Sequence, residues 1–325
     1  MRKLILTAIL GVTGLAYGQQ IPQYSQYLRN QYMVNPGAAG VYDFVDITVG
    51  GRLQWLGFDD APKTTYLYVS SPIGGKPRVK YNPALRISNG PVRNPKIKTG
   101  KLKHAIGGML LADQYGAYRQ LQIAGTYALH IPLSDKVNLS WGVNVGFSNR
   151  SFLRDKALTL NLMPGQIGSD ATYDTYANQG ANNTIDVGSG LYLYSKKMFI
   201  GVSADQLTRD FISFGTDPAN FDPNIHFKAT AGLKLPLNDN LTIMPSVLAK
   251  YMAPAPISLE GSVQLEYKEW LWFGASYRSS NAIVAMAGLN ISRRFKFGYS
   301  FDYSLSRFNE HSVGGHELVL GIMLR

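Results

Sequence analysis

Apolar and polar residues alternate strictly over long stretches of this chain. From Asn138 to Ser148, Leu139, Trp141, Val143, Val145 and Phe147 alternate with Asn138, Ser140, Gly142, Asn144, Gly146 and Ser148. A helix, turning every 3.6 residues, cannot bring those five apolar side chains to one face, whereas a strand does so automatically. The pattern recurs from Ile257 to Lys268, where the polar parity includes Glu260, Gln264 and Glu266. It recurs again from Phe295 to Ser306, with Lys296, Ser300 and Asp302 on the polar side. These runs reach ten residues or more, the length a tilted strand needs to cross a hydrocarbon layer. A soluble β-sandwich also alternates, but is built from shorter strands.

Alternation and turn residues together predict fourteen strands, near 43–56, 63–73, 104–114, 117–131, 136–150, 183–195, 197–207, 224–236, 240–253, 256–268, 270–279, 282–292, 294–306 and 314–325. Twelve or sixteen lie within the boundary error of such a reading. The expected fold class is all-β, an antiparallel transmembrane β-barrel of about fourteen strands. An even number returns both ends of the wall to one side, the periplasm. Even-numbered connections then face inward and are tight, as at Leu133-Ser134-Asp135, Leu237-Asn238-Asp239 and Lys268-Glu269. Long connections follow the fifth, seventh and thirteenth strands.

Before the first strand, Arg2 and Lys3 precede an apolar run from Leu4 to Leu15, closed by Ala16-Tyr17-Gly18. This predicts a secretory signal peptide over residues 1–18, since the run is shorter than a membrane-spanning helix requires. Residues 19–42, rich in Tyr, Gln and Asn without a core period, form an N-terminal segment expected on the periplasmic side, as an interaction surface or packed in the barrel. Residues 43–325 form the barrel. The predicted location is the outer membrane, with its lipid as one partner.

The chain holds 20 tyrosines and 33 glycines, as a barrel with interfacial aromatic girdles and a bending wall would. It has no cysteine, which excludes disulfides and thiolate metal sites. The formal charge is +11, and without Arg2 and Lys3 it is +9. Nine residues in an insertion at 74–103 account for all of that: Lys76, Arg78, Lys80, Arg86, Arg93, Lys96, Lys98, Lys101 and Lys103, with no Asp or Glu among them. A local basic loop does not make the protein a nucleic-acid binder. It is a solvated insertion or an electrostatic handle for an acidic periplasmic partner or anionic headgroups.

Nothing points to catalysis. His104, His130, His226, His311 and His316 form no zinc-hydrolase motif. Glu260 and Glu266 share a face but stand about 20 Å apart at ~3.3 Å per residue, too far to act as a carboxylate pair. No cofactor is expected.

The opening of the predicted mature chain carries a set of motifs in a specific order. Pro22-x-Tyr24-Ser25-Gln26-Tyr27 is followed by Asn30, by the Asn35-Pro36-x-x-Ala39-Gly40 turn and by the strand end Arg52-x-Gln54-Trp55. A Gly57-Phe58 tip then leads to Ala61-Pro62-x-Thr64. This arrangement resembles the PorP/SprF family, outer-membrane proteins tied to type IX secretion and gliding motility. Gly37, the 74–103 insertion and the final Arg325 depart from the family's pattern. The resemblance implies a non-enzymatic component that tethers or helps export a surface protein, such as an adhesin, and contacts periplasmic secretion subunits. On the residues alone, a passive porin-like channel for small polar solutes remains the alternative. The motif residues have structural roles first: Pro36 and Gly40 shape a turn, Gly57 and Pro62 shape the first tip, Trp55 suits an interfacial anchor, and Arg52 and Gln54 face the lumen.

Overall fold

The computed structural model describes residues 23–74, 97, 99–153, 156, 181–209, 213–214, 224–279, 282–292, 294–305 and 312–324. The predicted signal peptide, Arg325 and most of the basic loop lie outside them. Fourteen strands form the wall: β1 Val45–Leu53, β2 Lys63–Pro72, β3 Lys103–Tyr115, β4 Tyr118–Pro132, β5 Val137–Phe152, β6 Asn182–Ser195, β7 Met198–Asp205, β8 His226–Leu233, β9 Leu241–Tyr251, β10 Ser258–Tyr267, β11 Leu271–Arg278, β12 Ala282–Asn290, β13 Phe295–Ser304 and β14 Gly315–Leu324. Ser213–Phe214 and Leu235–Pro236 add two-residue pairings on β6 and β9.

Each strand pairs antiparallel with its neighbours in sequence, and β14 pairs with β1 from Val45 opposite Leu324 to Leu53 opposite His316. That last pairing closes the sheet and leaves no free edge, the condition for surviving in hydrocarbon. The strand count agrees with the alternation, and boundaries differ from it by a few residues.

The parity decides what surrounds the barrel. On β10, Glu260, Ser262, Gln264 and Glu266 are buried, while Leu259, Val263, Leu265 and Tyr267 are 55, 44, 41 and 44% exposed. The same inversion holds around the wall, with Val145 and Phe147, Ile200 and Val202, and Leu318 and Leu320 all facing out. A soluble sandwich would bury these side chains, whereas a membrane solvates them. The wall is a transmembrane β-barrel.

The end where β1 starts and β14 finishes is here called proximal, and the opposite end distal. Proximal hairpins are short, at 132–137, 195–198, 267–271 and 290–295, except for the connection carrying the basic loop. The long connections after β5, β7 and β13 are distal.

Candidate functional site: the filled lumen

The N-terminal segment, expected either as an interaction surface or packed in the barrel, occupies the barrel interior over the described residues 23–44. It lacks a repeating apolar face, so it forms no long helix and folds as three short 3-10 turns, Tyr27–Arg29, Gln31–Met33 and Pro36–Ala38. Asn30 caps the second by accepting from the Tyr32 amide at 3.1 Å, and Asn35 caps the third from the Gly37 amide at 2.8 Å. Pro36 sits at the first helical position, where its missing N–H costs nothing. Gly40, at φ +67°, turns the chain against Ala105.

Nearest the distal end, the segment meets a buried charge network. Arg52 on β1 donates from Nη2 to Asp302 at 2.5 Å and from Nη1 to Glu317 at 3.1 Å. Arg278 at the distal end of β11 donates to Glu260 at 2.8 Å and to Asp302 at 3.1 Å. Ser25 is inserted between them: its amide donates to Glu317 at 2.7 Å, its hydroxyl donates to Asp302 at 2.9 Å, and it accepts from Arg52 at 2.7 Å. Gln23 accepts from Arg278 at 2.7 Å, and Tyr66 donates to Glu317 at 2.7 Å. Planar guanidinium forks suit this multidentate role.

Tyrosines dominate the middle of the lumen. The hydroxyls of Tyr24 and Tyr68 lie 3.0 Å apart, and Tyr24 packs edge-on to Tyr66 with ring centres 5.2 Å apart. Tyr27 reaches Ser246 and Ser262 at 3.1 and 3.4 Å, and Tyr32 donates to Thr126 at 2.8 Å. Asn30 donates to Thr48 at 3.0 Å. Asn35 donates to the carbonyls of Leu191 and Val202, at 3.0 and 3.1 Å.

Toward the proximal end, His130 Nε2 donates to the Ala39 carbonyl at 2.9 Å, and Lys103 donates to that of Val41 at 2.9 Å. Arg29 pairs with Glu266 at 2.7 Å while its guanidinium lies 4.4 Å from the Trp272 ring centre. The segment therefore touches the wall at every level. Beside it, against β3 to β8, a cavity of about 100 Å³ is lined in part by Tyr32, Tyr115, Asn144, Arg150, His226 and Lys228.

These contacts place the motif residues singled out in the sequence. Tyr24, Ser25, Gln26, Tyr27, Asn35, Pro36 and Gly40 belong to the lumen segment, and Gln26 Nε2 donates to the Glu317 carbonyl at 3.3 Å. Arg52 is buried in the network and Thr64 donates to Asp113 at 2.6 Å. Gln54 donates its amide to Pro62 at 2.9 Å; with Trp55 at φ 53°, Gly57 at φ 114°, Ala61 and Pro62 it shapes the first distal tip.

Of the basic candidates, only Lys101 and Lys103 are described. Lys101 is exposed, whereas Lys103 turns inward onto Val41 and lies 5.9 Å from the Tyr194 ring centre. Lys76, Arg78, Lys80, Arg86, Arg93, Lys96 and Lys98 lie outside the described residues. Glu260 and Glu266 bind different cations. Among the described residues, no three of His, Cys, Asp or Glu are grouped to hold a metal.

The wall partners Asp302, Glu317, Arg278 and Glu260 carried no local motif. The one available signal was a charge on the inward parity of a long alternating strand, where a lone ion would be costly and so requires a partner.

A family model described as "Type IX secretion system membrane protein PorP/SprF" matches residues 16–322. No curated protein matches. Among solved structures, the chain is similar to the CymD monoaromatic hydrocarbon channel, with 11% identity, 94% of this chain and 93% of that one covered, and a TM-score of 0.49. It is also similar to the P. putida toluene transporter TodX, with 10% identity, 89% and 91% covered, and a TM-score of 0.46. For the Acinetobacter baumannii outer membrane protein Omp33 the values are 9%, 88% and 99%, and 0.43.

Proposed function

Because the chain belongs to the PorP/SprF family of type IX secretion system membrane proteins, we propose that it is a non-enzymatic outer-membrane scaffold of that system. In this reading it tethers or assists the export of a surface protein, such as a gliding adhesin, and its proximal face contacts periplasmic secretion subunits. The observation that carries the reading over a passive channel is the filled lumen, whose occupant is bonded to opposite sides of the wall through Glu317, Ser246, Thr126 and Leu191. A diffusive pore needs a continuous aqueous path, and a segment bonded to the wall near the distal end, in the middle and near the proximal end opposes one. The basic insertion at 74–103 leaves the proximal end between β2 and β3, which supports a role in holding an acidic periplasmic partner.

The test is affinity purification of the tagged protein from its native outer membrane in mild detergent, with planar-bilayer recording of the same material. Recovery of periplasmic secretion subunits or one large surface protein, together with electrical silence, is expected. A barrel that purifies alone and shows steady open steps would replace the scaffold by the channel.

A further inference from the structure

The outward face of β2 to β4 changes in three steps as it nears the distal end. Register brings Leu67, Leu110 and Ile123 into one row across the three strands, an apolar band that faces lipid. Two residues further along each strand the row is Thr65, Ala112 and Leu121, extended on β1 by Gly51. Small residues fill three of those four positions, and a Cβ at Gly51 would meet nothing within 4 Å. The surface is therefore recessed there. The next row is Lys63, Gln114 and Arg119. Lys63 is the first residue of β2 and Arg119 the second of β4, so both stand at the distal rim. Both are exposed, and among the described residues neither is ion-paired; Asp60 on the adjoining tip pairs instead with Lys156 at 2.6 Å. They lie two strands apart, about 10 Å at ~4.8 Å per strand, so their long stems can converge over Gln114.

We propose that Lys63 and Arg119 bind the phosphorylated headgroup of a membrane lipid, with the recess at Gly51, Thr65 and Ala112 receiving the linkage between phosphate and acyl chains. The order of the rows carries this. Cations, recess and apolar band follow one another along the wall as phosphate, ester-bearing backbone and hydrocarbon do along a lipid. Lys63 supplies a point charge, Arg119 a fork that can grip two phosphate oxygens, and Gln114 a neutral donor between them. Charged heads on the outward parity are costly in hydrocarbon but reach headgroups from the rim. The occupant is a lipid and not a free anion because the site opens sideways onto the membrane, on the same parity as Leu121 and Ile123, which are 44 and 52% exposed. Assignment of the distal rim to the outer leaflet rests on the outer-membrane reading; the site itself rests on parity, register and charge.

Native mass spectrometry of the detergent-purified full chain, titrated with phosphorylated lipid A, tests the site. The same lipid stripped of phosphate, and inorganic phosphate, are the comparison probes. The unaltered protein is expected to retain one phosphorylated lipid about tenfold better than the stripped one, and excess inorganic phosphate should not displace it. K63Q combined with R119Q should lower retention about tenfold. G51L, which fills the recess with both charges in place, should lower it several-fold. K136Q combined with K196Q removes the same charge from exposed proximal turns and should leave retention unchanged. Full retention by the K63Q and R119Q double variant or by G51L would overturn the proposal. So would equal losses in the two double variants, or displacement by inorganic phosphate, which would mark an ion site without a lipid. Cell fractionation tests the outer-membrane reading separately, and its failure would leave these binding results standing.

Discussion

Arg52 Nη1 and Ser25 Oγ lie 2.7 Å apart, joining the end of the first wall strand to the segment that fills the lumen. The two residues belong to separate motifs, and the barrel brings them together at the centre of a network that also holds Asp302 and Glu317. Taking several charges out of water is costly, so such a network adds little net stability compared with a well-packed apolar core. What it supplies is position: only a segment with a small hydroxyl and a free amide at residue 25 satisfies both carboxylates and the guanidinium.

Among the described residues, removing Arg52 leaves Asp302 paired with Arg278 alone and Glu317 without a cationic partner. Breaking a buried pair from one side costs about 3–5 kcal/mol. Arg52→Met is expected to lower the unfolding midpoint accordingly and to release the segment, so that trypsin cleaves after Arg29 in a barrel that is still folded. Arg52→Lys should fall between the two proteins, because one ammonium cannot reproduce the fork geometry. Equal trypsin resistance in all three would show that the network does not hold the segment.

Tyr27→Phe tests a neutral contact in the same lumen. The hydroxyl bonded to Ser246 and Ser262 is lost while the ring remains, at a cost of about 1 kcal/mol. A denaturant midpoint shift much smaller than that of Arg52→Met is expected. A double-mutant cycle with Ser246→Ala should show a coupling that Arg52→Met with Ser246→Ala lacks.

The wall was legible in the sequence because alternation is a local signal. Leu139 to Phe147 or Leu259 to Tyr267 declare a strand and its two faces without reference to anything distant, and Arg52 revealed its inward direction by the same parity. The lumen segment was not legible in that way. Tyr27, Tyr32 and Asn35 have no period between them, and their partners Ser246, Thr126 and Leu191 lie 219, 94 and 156 positions away. Turn chemistry at Asn35-Pro36 was readable; the surface against which the turn rests was not. Lys103 illustrates the opposite error, since composition grouped it with the loop while its strand position turned it into the barrel.

Close backbone approach offers a second way to displace the segment. A Cβ at Gly142 would collide with the carbonyl of Pro36 and the amide of Gly37, whereas one at Gly125, on the neighbouring strand, would meet nothing within 4 Å. Gly142→Leu is therefore expected to push the third 3-10 turn off the wall, giving conductance steps in planar bilayers and trypsin cleavage after Arg29. Gly125→Leu points into lipid and should stay silent and resistant. Matching behaviour of the two variants would mean that the segment does not block the lumen.

The basic insertion makes a prediction about salt. Lys76, Lys80, Lys96 and Lys98 can be changed to Gln together while Lys103, which holds Val41 inside the barrel, is kept. If the insertion grips an acidic periplasmic partner, the contact is electrostatic. It should then weaken as ionic strength rises and the Debye length shrinks from about 10 Å at 0.1 M toward about 3 Å at 1 M. Partner recovery with the unaltered protein is expected to fall several-fold over that range, while the fourfold variant recovers little partner at low salt and loses little more at high salt. Trypsin resistance at Arg29 and the unfolding midpoint should be unchanged, which separates a lost contact from a damaged barrel. Recovery by the variant that equals the unaltered protein at every salt concentration would remove the insertion from the contact and leave the proximal turns to make it.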